Sequence, residues 1–222
     1  MTPLLPRRQR RQAVQVGRRR FDGVTIALHW ATVVLILGMF ASAWLYGQAI
    51  DDDEATLALA IHRSLGVTVW SVTIGRLVWR LGFGFMPPFP ADMPKIQQLL
   101  AKANEYALYA VLLIQPLTGM AQSVARGRTF PLFGLEVPML MAKDRDLAAL
   151  FHAIHELSAW VLVGLIGGHA MAALFHRFVL HDEVLQSMSP FGPRAASHRS
   201  EDSPIGNRFG ISEAGDGTIG DR

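Results

Sequence analysis

The 222-residue sequence predicts an all-α integral membrane protein, a four-helix bundle with both termini in the cytoplasm. Three observations lead there. The chain is 50% hydrophobic and only 18% charged, where a soluble domain carries roughly a quarter charged residues. Four apolar runs each reach the ~20 residues that a helix needs to cross a bilayer. The basic residues are distributed unevenly between the segments that separate those runs.

The elements follow in order. Residues 1–20 hold seven arginines and no acid, a basic cytoplasmic tail ahead of the first apolar run. The runs are 24–46, 57–79, 106–124 and 147–180, with almost no Asp, Glu, Lys or Arg in their interiors. Apolarity on every side suits helices that face lipid. Polar segments rich in Pro, Gly or acid separate them: Asp51-Asp52-Asp53-Glu54, then 82–104, then 126–146. From Ser187 onward Ser, Gly, Pro and charge dominate, which predicts a disordered tail. The domains are therefore 1–20, 21–186 and 187–222. With the N-terminus inside, sixteen Lys and Arg lie on the cytoplasmic side and five outside, the bias expected of a protein in that orientation. Ala41-Ser42-Ala43 after a basic and an apolar stretch resembles a signal-peptide cleavage site. The apolar run is longer than an ordinary h-region and contains His29 and Trp30, so the segment reads as a retained helix.

Several function classes fall away. With no cysteine there is no disulfide, iron–sulfur cluster, thiolate zinc site or covalently attached c-type haem. The net charge of +3 does not signal nucleic-acid binding, because the basic residues sit in tails and turns between apolar runs.

The histidines carry the chemistry. Of eight, His198 lies in the tail and His181 at the end of the last helix. The others lie in or near apolar runs, where ionisable side chains are rare and face the bundle interior. His155 and His169 are fourteen residues apart. That interval rises roughly 21 Å and returns to within ~40° of the same face. His62, on a helix entered from outside, is level with His155. His29, on a helix entered from inside, is level with His169. Two cross-helix pairs are thus stacked across the membrane. Two facing imidazoles suit a bis-histidine b-type haem. Zinc is the alternative, but a structural zinc site needs four ligands close together. Glu156, the nearby carboxylate, projects about 100° away from His155. His152 and His176 read as interfacial residues near helix ends, and Gly164, Gly167 and Gly168 permit close approach of a macrocycle or of another helix.

These residues resemble the bacterial cytochrome b561 family of membrane di-haem cytochromes b. The matching pieces are Ile26-Ala27-Leu28-His29-Trp30, Ile61-His62-Arg63-Ser64 and Arg76-Leu77-Val78-Trp79-Arg80. Pro116-Leu117-Thr118-Gly119, Arg126-Gly127, Phe133-Gly134-Leu135 and His155-Glu156 with His169 follow in the same order. The resemblance implies a multi-pass protein of the bacterial inner membrane with two haem b groups. His29 and His169 would ligate the inner one, His62 and His155 the outer. It implies single-electron transfer between a donor or a redox partner protein and membrane quinone, with ubiquinone the expected substrate. Some members are described as superoxide oxidases that reduce ubiquinone. A second possibility from the same resemblance is a non-catalytic anchor that relays electrons for a partner dehydrogenase or hydrogenase. Haem carboxylates need cationic partners. Arg63, Arg126 and Arg128 are the candidates at the outer rim, and Arg76 and Arg80 lie near the inner haem, where they also suit simple membrane anchors.

Overall fold

The computed structural model describes residues 20–89, 93–181 and 184–189. The basic tail before Arg20 and the polar tail beyond Ser189 lie outside them. Four long helices carry the chain: α1 (Gly23–Gln48), α2 (Asp52–Gly82), α3 (Lys95–Ala125) and α4 (Arg145–Phe175). A π-helical turn, His176–Leu180, extends α4, and a short α5 (Val184–Ser187) follows. The two-stranded hairpin β1 (Phe130–Leu132) and β2 (Leu135–Val137) lies between α3 and α4.

Local chemistry sets the helix starts. The Asp22 carboxylate caps α1 by accepting from the Thr25 amide at 2.9 Å. Asp51 caps α2 through Glu54 N–H at 2.8 Å, and Asp144 caps α4 through Leu147 N–H at 2.9 Å. Asp52, Asp53 and Glu54 fill the first turn of α2, where negative charge complements the helix dipole. α3 starts directly after Pro94, which takes its N-cap position.

α3 is longer than its apolar run. The sequence reading ended the second connection at Asn104, whereas the helix is already formed at Lys95. Residues 95–105 include Lys95, Lys102 and Glu105, so hydropathy alone stops short of them. A helix needs no apolar coat where it emerges from lipid into water.

The β-hairpin was also unforeseen in the sequence. Its two turn residues, Phe133 (φ 52°) and Gly134 (φ 76°), both take positive φ, as a type I′ turn requires. The Phe133 N–H donates to Ser64 Oγ of α2 at 2.8 Å, which ties the hairpin tip to the bundle. Gly127 (φ +61°) lets the chain pass close to Lys143; a Cβ there would lie 2.4 Å from the Lys143 amide nitrogen.

Val69 of α2, Leu112 of α3 and Leu162 of α4 form the core, with Leu35, Ile36 and Met39 of α1 packed on it. The outer surface of the helices is apolar too: Leu37 is 64% exposed and Met171 72%. Four helices are long and apolar enough to span a bilayer. So much outward-facing apolar surface fits lipid and not water, and the protein is a membrane protein.

Candidate functional site

Two histidine pairs mark the two ends of the bundle. At the end that holds the start of α1 and α5 (the tail end), His29 of α1 faces His169 of α4 with ring centroids 6.2 Å apart. At the hairpin end His62 of α2 faces His155 of α4, also at 6.2 Å. Both pairings expected from helical depth are present. α4 runs unbroken from Arg145 to Phe175, so the fourteen-residue interval between its two histidines is a true helical rise of roughly 21 Å. Leu162 of the core lies seven residues from each of them, and an apolar layer therefore separates the two ends.

The centroid distance is itself informative. A ligating imidazole nitrogen sits ~2 Å from a first-row metal and ~1.2 Å from its own ring centroid. Two imidazoles sharing one metal ion between them would hold their centroids roughly 6.4 Å apart. Both pairs match that spacing. Among the described residues no cluster of three or more His, Asp or Glu is arranged to hold a metal ion.

The hairpin-end pair is supported by backbone carbonyls. His62 Nδ1 lies 3.2 Å from the Met39 carbonyl oxygen and 3.1 Å from Ser42 Oγ. His155 Nδ1 lies 3.0 Å from the Gln115 carbonyl oxygen and 3.1 Å from Thr118 Oγ1. A carbonyl can only accept, so each ring donates from Nδ1 and leaves Nε2 as the lone-pair nitrogen for a metal. The Gln115 side chain also donates to the His155 carbonyl at 3.0 Å, fixing the helix backbone under the ring. Gly119 makes room for the ring itself; a Cβ there would lie 2.9 Å from His155 Cε1. Pro116 lies inside α3 beside this contact and, having no N–H to give, leaves out one hydrogen bond of the helix. The Pro116–Gly119 stretch thereby acquires a physical role that its sequence did not reveal. Nothing in the sequence marks Ser42, Gln115 and Thr118 as supports, since small polar residues in an apolar helix commonly bond their own backbone.

A cavity of about 800 Å³ surrounds His62 and His155, and Arg63, Arg126, His152 and Glu156 also line it. That lies within the roughly 300–1,000 Å³ of ordinary ligand pockets. Arg63 donates from Nε to Ser123 Oγ at 3.1 Å and stacks on Phe130 of β1, its carbon 5.2 Å from the ring centre. Arg126 and Arg128 are close enough for their charges to act on Arg63. None of the three has a salt bridge among the described residues.

The tail end is built differently. His29 Nδ1 is buried with no hydrogen-bond partner. Arg76 lies near enough for its charge to act on both His29 and His169. Arg80 is hydrogen-bonded to Glu105, which also accepts from Lys102 at 3.2 Å. Trp30, beside His29, donates from Nε1 to the Met188 carbonyl at 2.9 Å, and Phe21 N–H to the Ser187 carbonyl at 3.3 Å. The segment around α5 is thus tied back to the start of α1.

The remaining sequence candidates separate. His152 is exposed, 3.2 Å from the Gln122 side-chain nitrogen and 3.9 Å from Glu156. His176 opens the π-helical turn at the end of α4 and is 8% exposed. Around Gly164, Gly167 and Gly168 an added Cβ would meet nothing within 4 Å, so among the described residues no helix closes on their Cβ side. Trp79 donates to Asp22 Oδ1 at 3.0 Å and is a structural tie between α1 and α2.

Comparison with known proteins accords with this geometry. The family model described as prokaryotic cytochrome b561 matches residues 20–191. "Cytochrome b561 homolog 2" of Escherichia coli (strain K12) is 30% identical over 171 residues, covering 76% of this chain and 90% of its own length. "Probable superoxide oxidase CybB" of Yersinia pestis is 30% identical over 172 residues, covering 78% of this chain and 97% of that protein. "Cytochrome b561 homolog 1" of Escherichia coli (strain K12) is 30% identical over 177 residues, covering 77% and 97%. With a matched region that includes all four long helices and both histidine pairs, the chain belongs to the prokaryotic cytochrome b561 family, and with it to the proteins that bind haem b.

Proposed function

We propose that the protein is a di-haem b cytochrome of the bacterial inner membrane that moves single electrons between a donor and membrane ubiquinone. The observation that carries this reading is the 6.2 Å centroid spacing of a facing histidine pair at each end of one bundle. His29 and His169 hold one haem, and His62 and His155 the other. When bound, haem iron supplies the one-electron chemistry.

The chain's own residues supply the rest. The Met39 and Gln115 carbonyls orient the hairpin-end imidazoles and select their tautomer. The layer of Val69, Leu112 and Leu162 keeps water out between the two ends. Arg63, Arg126 and Arg128 answer the carboxylates of a haem at the hairpin end and leave a positive field there. The basic distribution supports a cytoplasmic tail end and a periplasmic hairpin end.

Superoxide is the donor we favour at the hairpin end. The arginine group and the printed name of the Yersinia pestis relative both support it. The stoichiometry closes simply. Each superoxide loses one electron and leaves as dioxygen; two electrons and two protons convert a quinone to its quinol. The outer segments contain more acids than bases, eight to five. The steering field is therefore a local one, confined by salt to ~8–10 Å around the three arginines.

A redox-titrated absorption spectrum of the purified protein, with haem-to-chain stoichiometry, tests the reading. Two haems per chain are expected. His29→Ala and His169→Ala should each remove the same one, and His62→Ala and His155→Ala the other. His152→Ala and His176→Ala should keep both. A single haem, or losses that group His29 with His155, would overturn the assignment. Reporter fusions at the C-terminus should be active only in the cytoplasmic sense.

A further inference from the structure

We propose that Arg76 is the residue that neutralises the anionic edge of the tail-end haem, pairing with one of its carboxylates and raising the electron affinity of that site. The proposal rests on the two-haem reading above.

Of the cations toward the tail end of α2 and α3, Arg80 and Lys102 are answered within the protein. Arg80 bonds to Glu105, and Lys102 bonds to the same carboxylate. Arg76 has no such partner among the described residues. Its Nε is buried and makes no hydrogen bond. Its guanidinium stacks on Tyr109, 5.4 Å from the ring centre, which holds it in place without satisfying its donors. A buried cationic donor left unpaired is costly, and such groups persist where a ligand completes them.

Position supplies the second argument. Arg76 is fourteen residues after His62 on α2, the same interval that separates His155 from His169 on α4. It therefore returns to within ~40° of the face that presents His62, roughly 21 Å along the bundle. α2 thus offers a histidine at the hairpin end and an arginine at the tail end, where α1 and α4 supply the histidines. The charge of Arg76 acts on both rings of that pair. A planar guanidinium with several donors is the side chain best matched to a carboxylate. A lipid phosphate offers the same charge and acceptor chemistry, so the test must separate the two.

The experiment is a potentiometric titration of the purified holoprotein, in detergent and in nanodiscs with and without anionic lipid. His29→Ala identifies which step belongs to the tail-end haem. Arg76→Gln should move that step to lower potential by about tenfold in the reduction equilibrium, about 59 mV for one electron, or remove that haem alone. The hairpin-end step should not move. Arg76→Lys should keep most of the wild-type potential, and Arg80→Gln should leave it unchanged. No shift with Arg76→Gln, an equal shift of both steps, or a larger effect of Arg80→Gln overturns the assignment. A shift seen only with anionic lipid assigns Arg76 to a phosphate and also overturns it. If Arg76→Gln and Arg76→Lys both lose both haems, Arg76 is a folding residue and the proposal fails. If His29→Ala and His169→Ala leave both steps intact, the two-site reading fails instead.

Discussion

The imidazole planes of His62 and His155 stand at 80° to one another, close to perpendicular. Those of His29 and His169 are tilted at 58°. An imidazole that ligated iron would π-donate through the orbital normal to its ring plane. Perpendicular rings raise two iron d orbitals equally, which makes a low-spin ferric signal strongly anisotropic; rings nearer to parallel split those orbitals.

Electron paramagnetic resonance of the oxidised protein should therefore show two low-spin signals, with the larger g maximum at the hairpin end. His62→Ala should abolish that signal and keep the other. The opposite assignment, or two identical signals, would show that the ring angles differ from those described.

Gly119 and Gly164 offer a paired test of close packing. A Cβ at Gly119 would stand 2.9 Å from the His155 ring, while one at Gly164 would meet nothing within 4 Å. Gly119→Ala should displace the ring at an overpacking cost of about 1–3 kcal/mol and weaken or remove the hairpin-end haem. Gly164→Ala should retain both haems. Absorbance per chain reads both outcomes, and full haem content in Gly119→Ala would refute the contact.

Asp22 joins the two ends of the α1–α2 pair. Its carboxylate accepts from the Thr25 amide, the Trp79 indole and the Phe85 amide. Burial works to raise its pKa, but these bonds together bring it below the ordinary 3.8. Its contribution is therefore complete above that value and disappears as pH falls through the lowered one. Asp22→Ala should lose about 1–2 kcal/mol of stability at neutral pH. The difference from wild type should shrink in acid below the carboxylate range. Thermal unfolding in detergent at neutral and acid pH measures it, and a difference independent of pH would exclude the charged carboxylate as its source.

Anion steering at the hairpin end can be tested by stopped-flow reduction with superoxide. Arg126→Glu combined with Arg128→Glu should slow haem reduction by about tenfold or more at low salt. Added salt should slow the wild type and narrow the gap. Slow reduction in the wild type would remove superoxide as the donor, and fast reduction indifferent to both charge reversals and to salt would remove anion steering at this end.

Much of this molecule is legible one residue at a time. Four spans follow from apolar length, and the His155–His169 interval follows from helical pitch, because a helix repeats by local geometry whatever surrounds it. The pairing of His29 with His169 and of His62 with His155 follows from counting depth from the start of each apolar run. Contacts made by polar atoms of neighbouring helices were not legible. The Met39 and Gln115 carbonyls that hold His62 and His155 belong to the backbone, which every residue shares, so no side-chain pattern announces them. Gly119 looks like any helical glycine until the His155 ring is seen against it. Arg76 and Arg80 are equivalent in sequence, two cations one turn apart. The packing of α3 against α2 sets both guanidinium groups over Tyr109, but it gives only Arg80 a carboxylate and leaves Arg76 with a buried donor unanswered among the described residues. Spacing along one helix is a property of the chain, whereas the identity of an acceptor across a helix interface depends on rotation and depth that no single helix records.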